Sequence, residues 1–245
     1  MWDNHKALQA LASTLFFVSF LLCLVSAGWW VAHSDYFPVR RIAIQGSLRH
    51  VTQEQLRLVG ETELQGTFFT LNIDTIRAAF EKLPWVRQVT VRRVWPDELQ
   101  INIEEYVALA RWGETGLLST QGMWFDAAAD SRLPMVLGPA GSERELAQRL
   151  LEFRQLLDPT GLKLAQLHVS ERRAWTVTLD NGLVLELGSQ ALRERLQRFT
   201  ANWRSTLAKV PYRISNVDLR YPNGFAVRMP EYSPGKLGKR PKKAA

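Results

Sequence analysis

Between Leu83 and Trp112 the chain reads LPWVRQVTVRRVWPDELQINIEEYVALARW, and its apolar residues alternate twice about a Pro-Asp turn. Val89, Val91 and Arg93 alternate with Thr90, Arg92 and Val94; beyond Pro96-Asp97, Leu99, Ile101 and Ile103 alternate with Gln100, Asn102 and Glu104. Successive side chains on a strand point to opposite faces, so each run has one apolar face and one wet face. Two such runs about a turn predict a hairpin that must bury its apolar face against other elements. No nucleophile, metal cluster or phosphate cradle lies in the segment, so its chemistry is that of packing and pairing.

The elements that would cover the hairpin precede it. Val39 to Gln45 predicts a short strand with Ile42 and Ile44 on one face, ending at Gly46. Thr52-x-x-Gln55 is a capping box that opens a helix. A second helix is predicted from Asp74 to Lys82, with Ile76, Phe80 and Leu83 on one face and Pro84 as its stop. The order is strand, helix, helix, strand, strand, over roughly seventy residues, a small but viable domain.

A second region starts near Tyr106 and is predicted to be β-rich with two helices. Ser142-x-x-Glu145 suggests a capping box, and Leu146, Leu150, Phe153 and Leu157 form the stripe of the helix behind it. Val177 and Leu179, the turn Asp180-Asn181-Gly182, and Leu183, Leu185 and Leu187 predict a hairpin. Leu192, Leu196, Phe199, Trp203 and Leu207 make another helical stripe. A last hairpin has Val217, Leu219 and Tyr221 on one arm, Pro222-Asn223-Gly224 at the turn, and Phe225, Val227 and Met229 on the other.

At the N-terminus, Ala7 to Ala32 contains no charged residue. As a helix this run spans ~39 Å, more than the ~30 Å of hydrocarbon in a bilayer, so it can cross once. Trp29 and Trp30 at its far end, then His33, Asp35 and Tyr36, suit a helix leaving lipid for the headgroup zone. A cleaved signal peptide is the competing reading, since Val25-Ser26-Ala27 satisfies a small-residue cleavage rule; the run, however, is longer than a signal core and continues through Val31. Charge alone does not orient the helix, because Lys6 precedes it and Arg40 and Arg41 follow.

Most function classes lose support from composition and spacing. The net charge of +7 invites a nucleic-acid reading, but Lys236, Lys239, Arg240, Lys242 and Lys243 supply five of those charges from the last ten residues, leaving +2 before them. That tail is expected to be solvated and disordered, with weak attraction to anionic lipid as the functional alternative. The sole cysteine, Cys23, lies in the apolar run, which excludes a disulfide framework, cysteine zinc sites and thiol catalysis elsewhere. His5, His33, His50 and His168 have no partner at i+3 or i+4 that would build a metal site. Glu104 and Glu105 face opposite sides of a strand and cannot act as a catalytic pair. With no G-x-S-x-G, Walker or dinucleotide motif, no enzyme activity, cofactor or small-molecule substrate is expected. Trp85, Trp95, Trp112, Trp124, Trp175 and Trp203 are scattered, which predicts core packing, with Trp85 or Trp95 partly at an exposed patch.

The string LPWVRQVTVRRVWPDELQI followed by EYVALARW resembles the POTRA domain of the FtsQ/DivIB family of bacterial cell-division proteins, and weaker similarity extends from Phe37 to Met229. The resemblance implies an α+β protein with a cytoplasmic stub (1–6), a transmembrane helix (7–32), a POTRA domain of β-α-α-β-β order (37–105), a β-rich domain with two helices (106–230) and a basic tail (231–245). It further implies a single-pass protein of the inner membrane, with its bulk in the periplasm at the division septum.

The last strand of the final hairpin, between Ser215 and Met229, is expected to have no later strand covering one side unless the chain folds back, and an open edge can pair with an incoming strand. In the family this region receives the coiled-coil division protein FtsB, with FtsL alongside. The resemblance carries that role onto VDLRY, Val217 to Tyr221, and onto the Arg-Arg-x-Trp motif of Arg172, Arg173 and Trp175. Arg172 and Arg220 would pair with acidic side chains of the partner, and Tyr221 would add aromatic contact. Ser215, Leu219, Phe225 and Val227 complete the expected surface, and Arg87, Arg92 and Arg93 offer a second docking face for other division proteins. Two other classes stay open: a POTRA-type assembly factor for outer-membrane or secreted proteins, and a periplasmic enzyme acting on the cell wall.

Overall fold

The computed structural model describes residues 5–33, 37–64, 66–128 and 132–232. The chain divides into two compact units, 1–106 and 107–245. Of the basic tail expected to be disordered, residues 233–245 lie outside the described residues.

The first unit opens with helix α1, His5–His33, whose stretch Leu8–Val31 is long and apolar enough to cross a membrane. Its leucines, phenylalanines and tryptophans are exposed along the helix, as suits lipid rather than a protein interior. Strand β1 (Arg41–Gln45) follows, then helices α2 (Gln53–Glu63) and α3 (Ile73–Glu81), and strands β2 (Val86–Val94) and β3 (Glu98–Glu105). The expected order is present, with β1 beginning two residues later than the sequence suggests.

The three strands form a sheet in the order β1-β3-β2, parallel between β1 and β3 and antiparallel between β3 and β2. Leu99, Ile101 and Ile103 of β3 and Val86 and Val89 of β2 pack against Ile76, Phe80 and Leu56 of the helices. The capping box of α2 is made: the Thr52 hydroxyl accepts from the Gln55 amide, and Gln55 accepts from the Thr52 amide. Asn72 caps α3 by accepting from Asp74 and Thr75. Gly46 is obligatory: at φ +142° a Cβ there would stand 2.3 Å from the Ile103 carbonyl oxygen. Ile42 and Ile44 remain exposed and line an open groove with Leu56, Leu64 and Phe80.

The second unit contains β4 (Ala108–Trp112), β5 (Leu117–Ser119), β6 (Trp124–Phe125), β7 (Met135–Leu137), α4 (Glu143–Leu157), β8 (Leu164–Val169), β9 (Trp175–Leu179), β10 (Val184–Gly188), α5 (Leu192–Trp203), β11 (Asn216–Asp218) and β12 (Ala226–Arg228). All nine strands join one mixed sheet, ordered β12-β11-β10-β9-β8-β7-β4-β5-β6. Its core sets Leu146, Leu150, Phe153 and Leu157 of α4 and Leu196 and Phe199 of α5 against Leu167, Val177, Leu185 and Val217.

One expectation fails here, and another holds except at one residue. Ser142 precedes α4 without capping it: its hydroxyl donates to the Pro139 carbonyl, and Glu145 pairs instead with Arg173. The tryptophans follow the expectation except at Trp124: Trp175 is core, Trp85, Trp112 and Trp203 pack against the two cores, and Trp95 is exposed as expected. Trp175 is buried, whereas Trp85, Trp112 and Trp203 are half-buried, Trp124 is 49% exposed and Trp95 77%. An indole is too large to enter a small core whole, and most of these sit at element ends.

Candidate functional site

The final hairpin forms one margin of the large sheet. β11 lies parallel to β10, joined to it through α5, and β12 runs antiparallel to β11 with Val217 opposite Val227. Among the described residues no strand pairs with the outer side of β12. An edge that no described strand covers can accept another strand.

Topology also brings the two expected contact regions to one end of that sheet. The turn between β8 and β9 carries Arg172 and Arg173; Gly188 at the end of β10 pairs with Trp175, and Asp218 pairs with Glu186 beside it. Arg172 and the segment after β11 thus lie on the same rim, two to three strand spacings of ~4.8 Å apart.

Side chains divide on this rim. Arg172 is exposed and meets no acid or acceptor among the described residues. Arg173, in left-handed conformation at φ 60°, turns to Glu145. Arg220 donates from Nε and Nη2 to Asp218 at 2.9 and 2.7 Å, and lies 3.3 Å from Glu186. That bidentate pair holds the Asp218 carboxyl below its usual range, outweighing partial burial, and raises the Arg220 guanidinium further above its own. Any acid of a partner would join a network that Arg220 already serves. Tyr221 is 54% exposed, and Ser215 donates its amide to the Arg228 carbonyl at 2.9 Å.

Trp175, Val217 and Leu219 do not present side chains to a partner. Each is 2% exposed or less, and Trp175 stands edge-on to Phe153 with ring centroids 6.3 Å apart. Strand alternation directs them to the core, and Phe225 and Val227 pack partly against the same core. The three arginines of the second expected docking face do not share one face of β2. Arg87 is the bulged residue of β2 and pairs with Glu104, Arg93 donates to the Leu71 carbonyl on the helix side, and Arg92 alternates to the opposite face.

Two residues of α5 organise the rim, and the sequence reading missed them. Arg195 donates to the carbonyls of Leu187 and Arg220, and Arg198 gathers those of Tyr221, Pro222 and Gly224 at 2.8, 2.8 and 3.2 Å. Their i,i+3 spacing beside the apolar stripe was the available signal. Gly188, at φ +73°, leaves room for Arg195 and Arg220: a Cβ there would come within 2.9 Å of the first and 3.1 Å of the second.

Comparison with known families agrees with this architecture. A model described as POTRA domain, FtsQ-type, matches residues 37–106, and one described as cell division protein FtsQ/DivIB, C-terminal, matches residues 110–220. The chain belongs to the FtsQ/DivIB family. Cell division protein FtsQ of Nitrosospira multiformis is 41% identical, the match covering 93% of this chain and 99% of that protein. FtsQ proteins of Burkholderia pseudomallei (38%; 93% of this chain, 94% of that protein) and Neisseria gonorrhoeae (32%; 93% and 95%) are similar over comparable lengths. Within the FtsQ/DivIB frame, the first unit carries the POTRA fold and the open margin β12 ends just beyond the matched C-terminal region.

Proposed function

We propose that this chain is a single-pass scaffold of the inner-membrane division machinery, with α1 in the bilayer, both folded units in the periplasm, and FtsB, accompanied by FtsL, adding a strand to β12. The carrying observation is the outer side of β12, which no described strand covers, on a rim that also carries exposed Tyr221 and, three to four strands away, Arg172, which meets no acid among the described residues. Main-chain pairing would supply affinity and the rim side chains selectivity. The work is assembly at the septum, linking early to late division proteins, rather than turnover.

Cysteine cross-linking tests the edge. In a Cys23→Ser background, Arg228→Cys on the exposed side of β12 should cross-link to cysteines placed at alternate positions of a single FtsB segment. A period of two signifies a strand. Cross-linking without periodicity, or none, removes the augmentation model.

A further inference from the structure

The POTRA unit carries an aromatic and basic corner that the partner-binding reading leaves unused. At the starting end of β1, the Arg40 and Arg41 amides donate to the Asp97 carbonyl at 2.9 and 3.3 Å, which ties the β2–β3 tip, Trp95-Pro96-Asp97, to the first residues after the membrane helix. At that same end, Pro38 bridges Thr67 and the Phe68 amide donates to the Phe37 carbonyl at 2.8 Å. This brings up an edge-to-face cluster in which Phe69 meets both Phe37 and Phe68 at 5.3 Å. Arg93 reaches into this loop at the Leu71 carbonyl.

The corner is apolar where it meets solvent. Trp95 is 77% exposed, Phe69 48% and Val94 37%. Its charge is positive: Arg41 is balanced by Asp97 and Glu98, whereas Arg40 and Arg92 meet no carboxylate among the described residues. Aromatic rings interspersed with unpaired arginines match the zone where acyl chains give way to anionic headgroups.

Tether length selects the occupant. His33 ends α1 and Phe37 begins the cluster, and four peptide steps at full extension reach only ~14 Å. Headgroups themselves extend ~5–8 Å beyond the hydrocarbon on each side. A corner with this composition, held this close to a membrane-spanning helix, has a lipid surface within reach at all times.

We infer that this end of the sheet, with Phe37, Phe69, Trp95 and Arg40 and with Arg92 on its other face, is a membrane-docking site that seats the POTRA unit on the anionic lipid surface around its own transmembrane helix. The inference rests on α1 spanning the bilayer and not on any partner at β12.

Full-length protein in vesicles of phosphatidylethanolamine with a minor share of phosphatidylglycerol tests it, using lipids that carry a nitroxide quencher near the headgroup. A fluorophore on native Cys23 reports insertion of α1; if it escapes lipid quenchers at every depth, the membrane span itself is wrong. With insertion established, fluorophores on Val94→Cys and Gln45→Cys, both in a Cys23→Ser background, report the two ends of the unit. Quenching several-fold stronger at position 94 than at 45 is expected. Adding Phe69→Ser, or Arg40→Glu with Arg92→Glu, should bring position 94 down toward the value at 45. Equal quenching at the two ends overturns the inference, as does undiminished quenching at 94 in both sets of variants. The charge-reversed pair lies on exposed, unpaired side chains, so it remains informative if the Phe69 variant unfolds.

Discussion

The His50 imidazole lies flat on the Trp85 indole, with ring centroids 3.6 Å apart and planes 4° from parallel. The stack closes over Glu105, whose carboxylate accepts from the amides of Arg49, His50 and Val51 and from the His50 ring at 3.2 Å. One acid at the end of β3 thereby organises the loop that enters α2, and the His50 that it binds stacks on Trp85, whose φ is 72°. Replacing Glu105 with Ala strands three backbone amides and the His50 ring nitrogen, each costing about 1–3 kcal/mol when buried and less where water enters. We expect a net loss of about 2 kcal/mol in urea unfolding of the first unit, and a smaller loss for Glu105→Gln, which keeps an acceptor.

The same group makes stability depend on pH. Burial works to raise the Glu105 carboxyl, but the three amides and His50 together outweigh it and hold the group below the ordinary range. A carboxyl lowered on folding contributes above its unfolded value, about 4.3, and that contribution fades as pH falls through the lower folded value. Melting curves below about pH 4.3 should therefore fall more steeply for the parent than for Glu105→Gln. Parallel curves would mean that the cradle does not favour the ionised form.

Much of this architecture was legible in the sequence because period-two and period-3.6 patterns follow directly from burial. The β2–β3 hairpin, the Thr52 cap, the stripes of α4 and α5 and the Gly182 turn are all local. What escaped depends on partners distant in the chain. Ser142 had the right spacing for a cap, yet the nearby Pro139 carbonyl took its hydroxyl and Arg173, twenty-eight positions from Glu145, took the acid. At the candidate site, the open margin could be anticipated from chain order, but the inward direction of Val217 and Trp175 and the occupation of Arg220 by Asp218 required the sheet. The parallel pairing of β10 with β11 puts Glu186 beside Arg220, and no short-range pattern encodes it.

Core and rim residues of the proposed site should separate cleanly. Trp175→Ala removes a buried indole and is expected to cost about 3–5 kcal/mol, lowering Tm sharply. Tyr221→Ala removes an exposed ring and should leave Tm nearly unchanged while weakening FtsB capture. Thermal unfolding paired with pull-down reads both. A Trp175 variant with parental stability but lost capture would return that residue to the binding surface.

Arg198 offers a test of rim order without touching the rim. A single guanidinium nitrogen, Nη1, serves three carbonyls between Tyr221 and Gly224, so Arg198→Ala frees that turn while each lost bond contributes only about 1 kcal/mol to stability. Hydrogen exchange should quicken at residues 221–226 and stay at parental rates in β9 and β10. Unchanged exchange at the turn would show that the Phe225 and Val227 contacts alone hold it.

Charge reversal should act differently at the two arginines, because one is engaged within the fold and the other is not. Arg172→Glu breaks no internal contact, so unfolding should shift by less than about 0.5 kcal/mol, as for surface substitutions generally. If the partner presents an acid there, the exposed pair is worth about 1 kcal/mol, near fivefold in Kd, and the difference should shrink as salt rises. Arg220→Glu instead sets a third acid beside Asp218 and Glu186, which lie with it at the end of β10 and β11. Its effect should appear first in the free protein, as a loosened β11–β12 hairpin, and only then in binding. Titrations of both variants at low and high salt, alongside their melting curves, distinguish a residue that meets the partner from one that shapes the edge the partner meets. Should Arg172→Glu bind at parental affinity in low salt, the β8–β9 turn drops out of the interface and the site contracts to β12 and Tyr221.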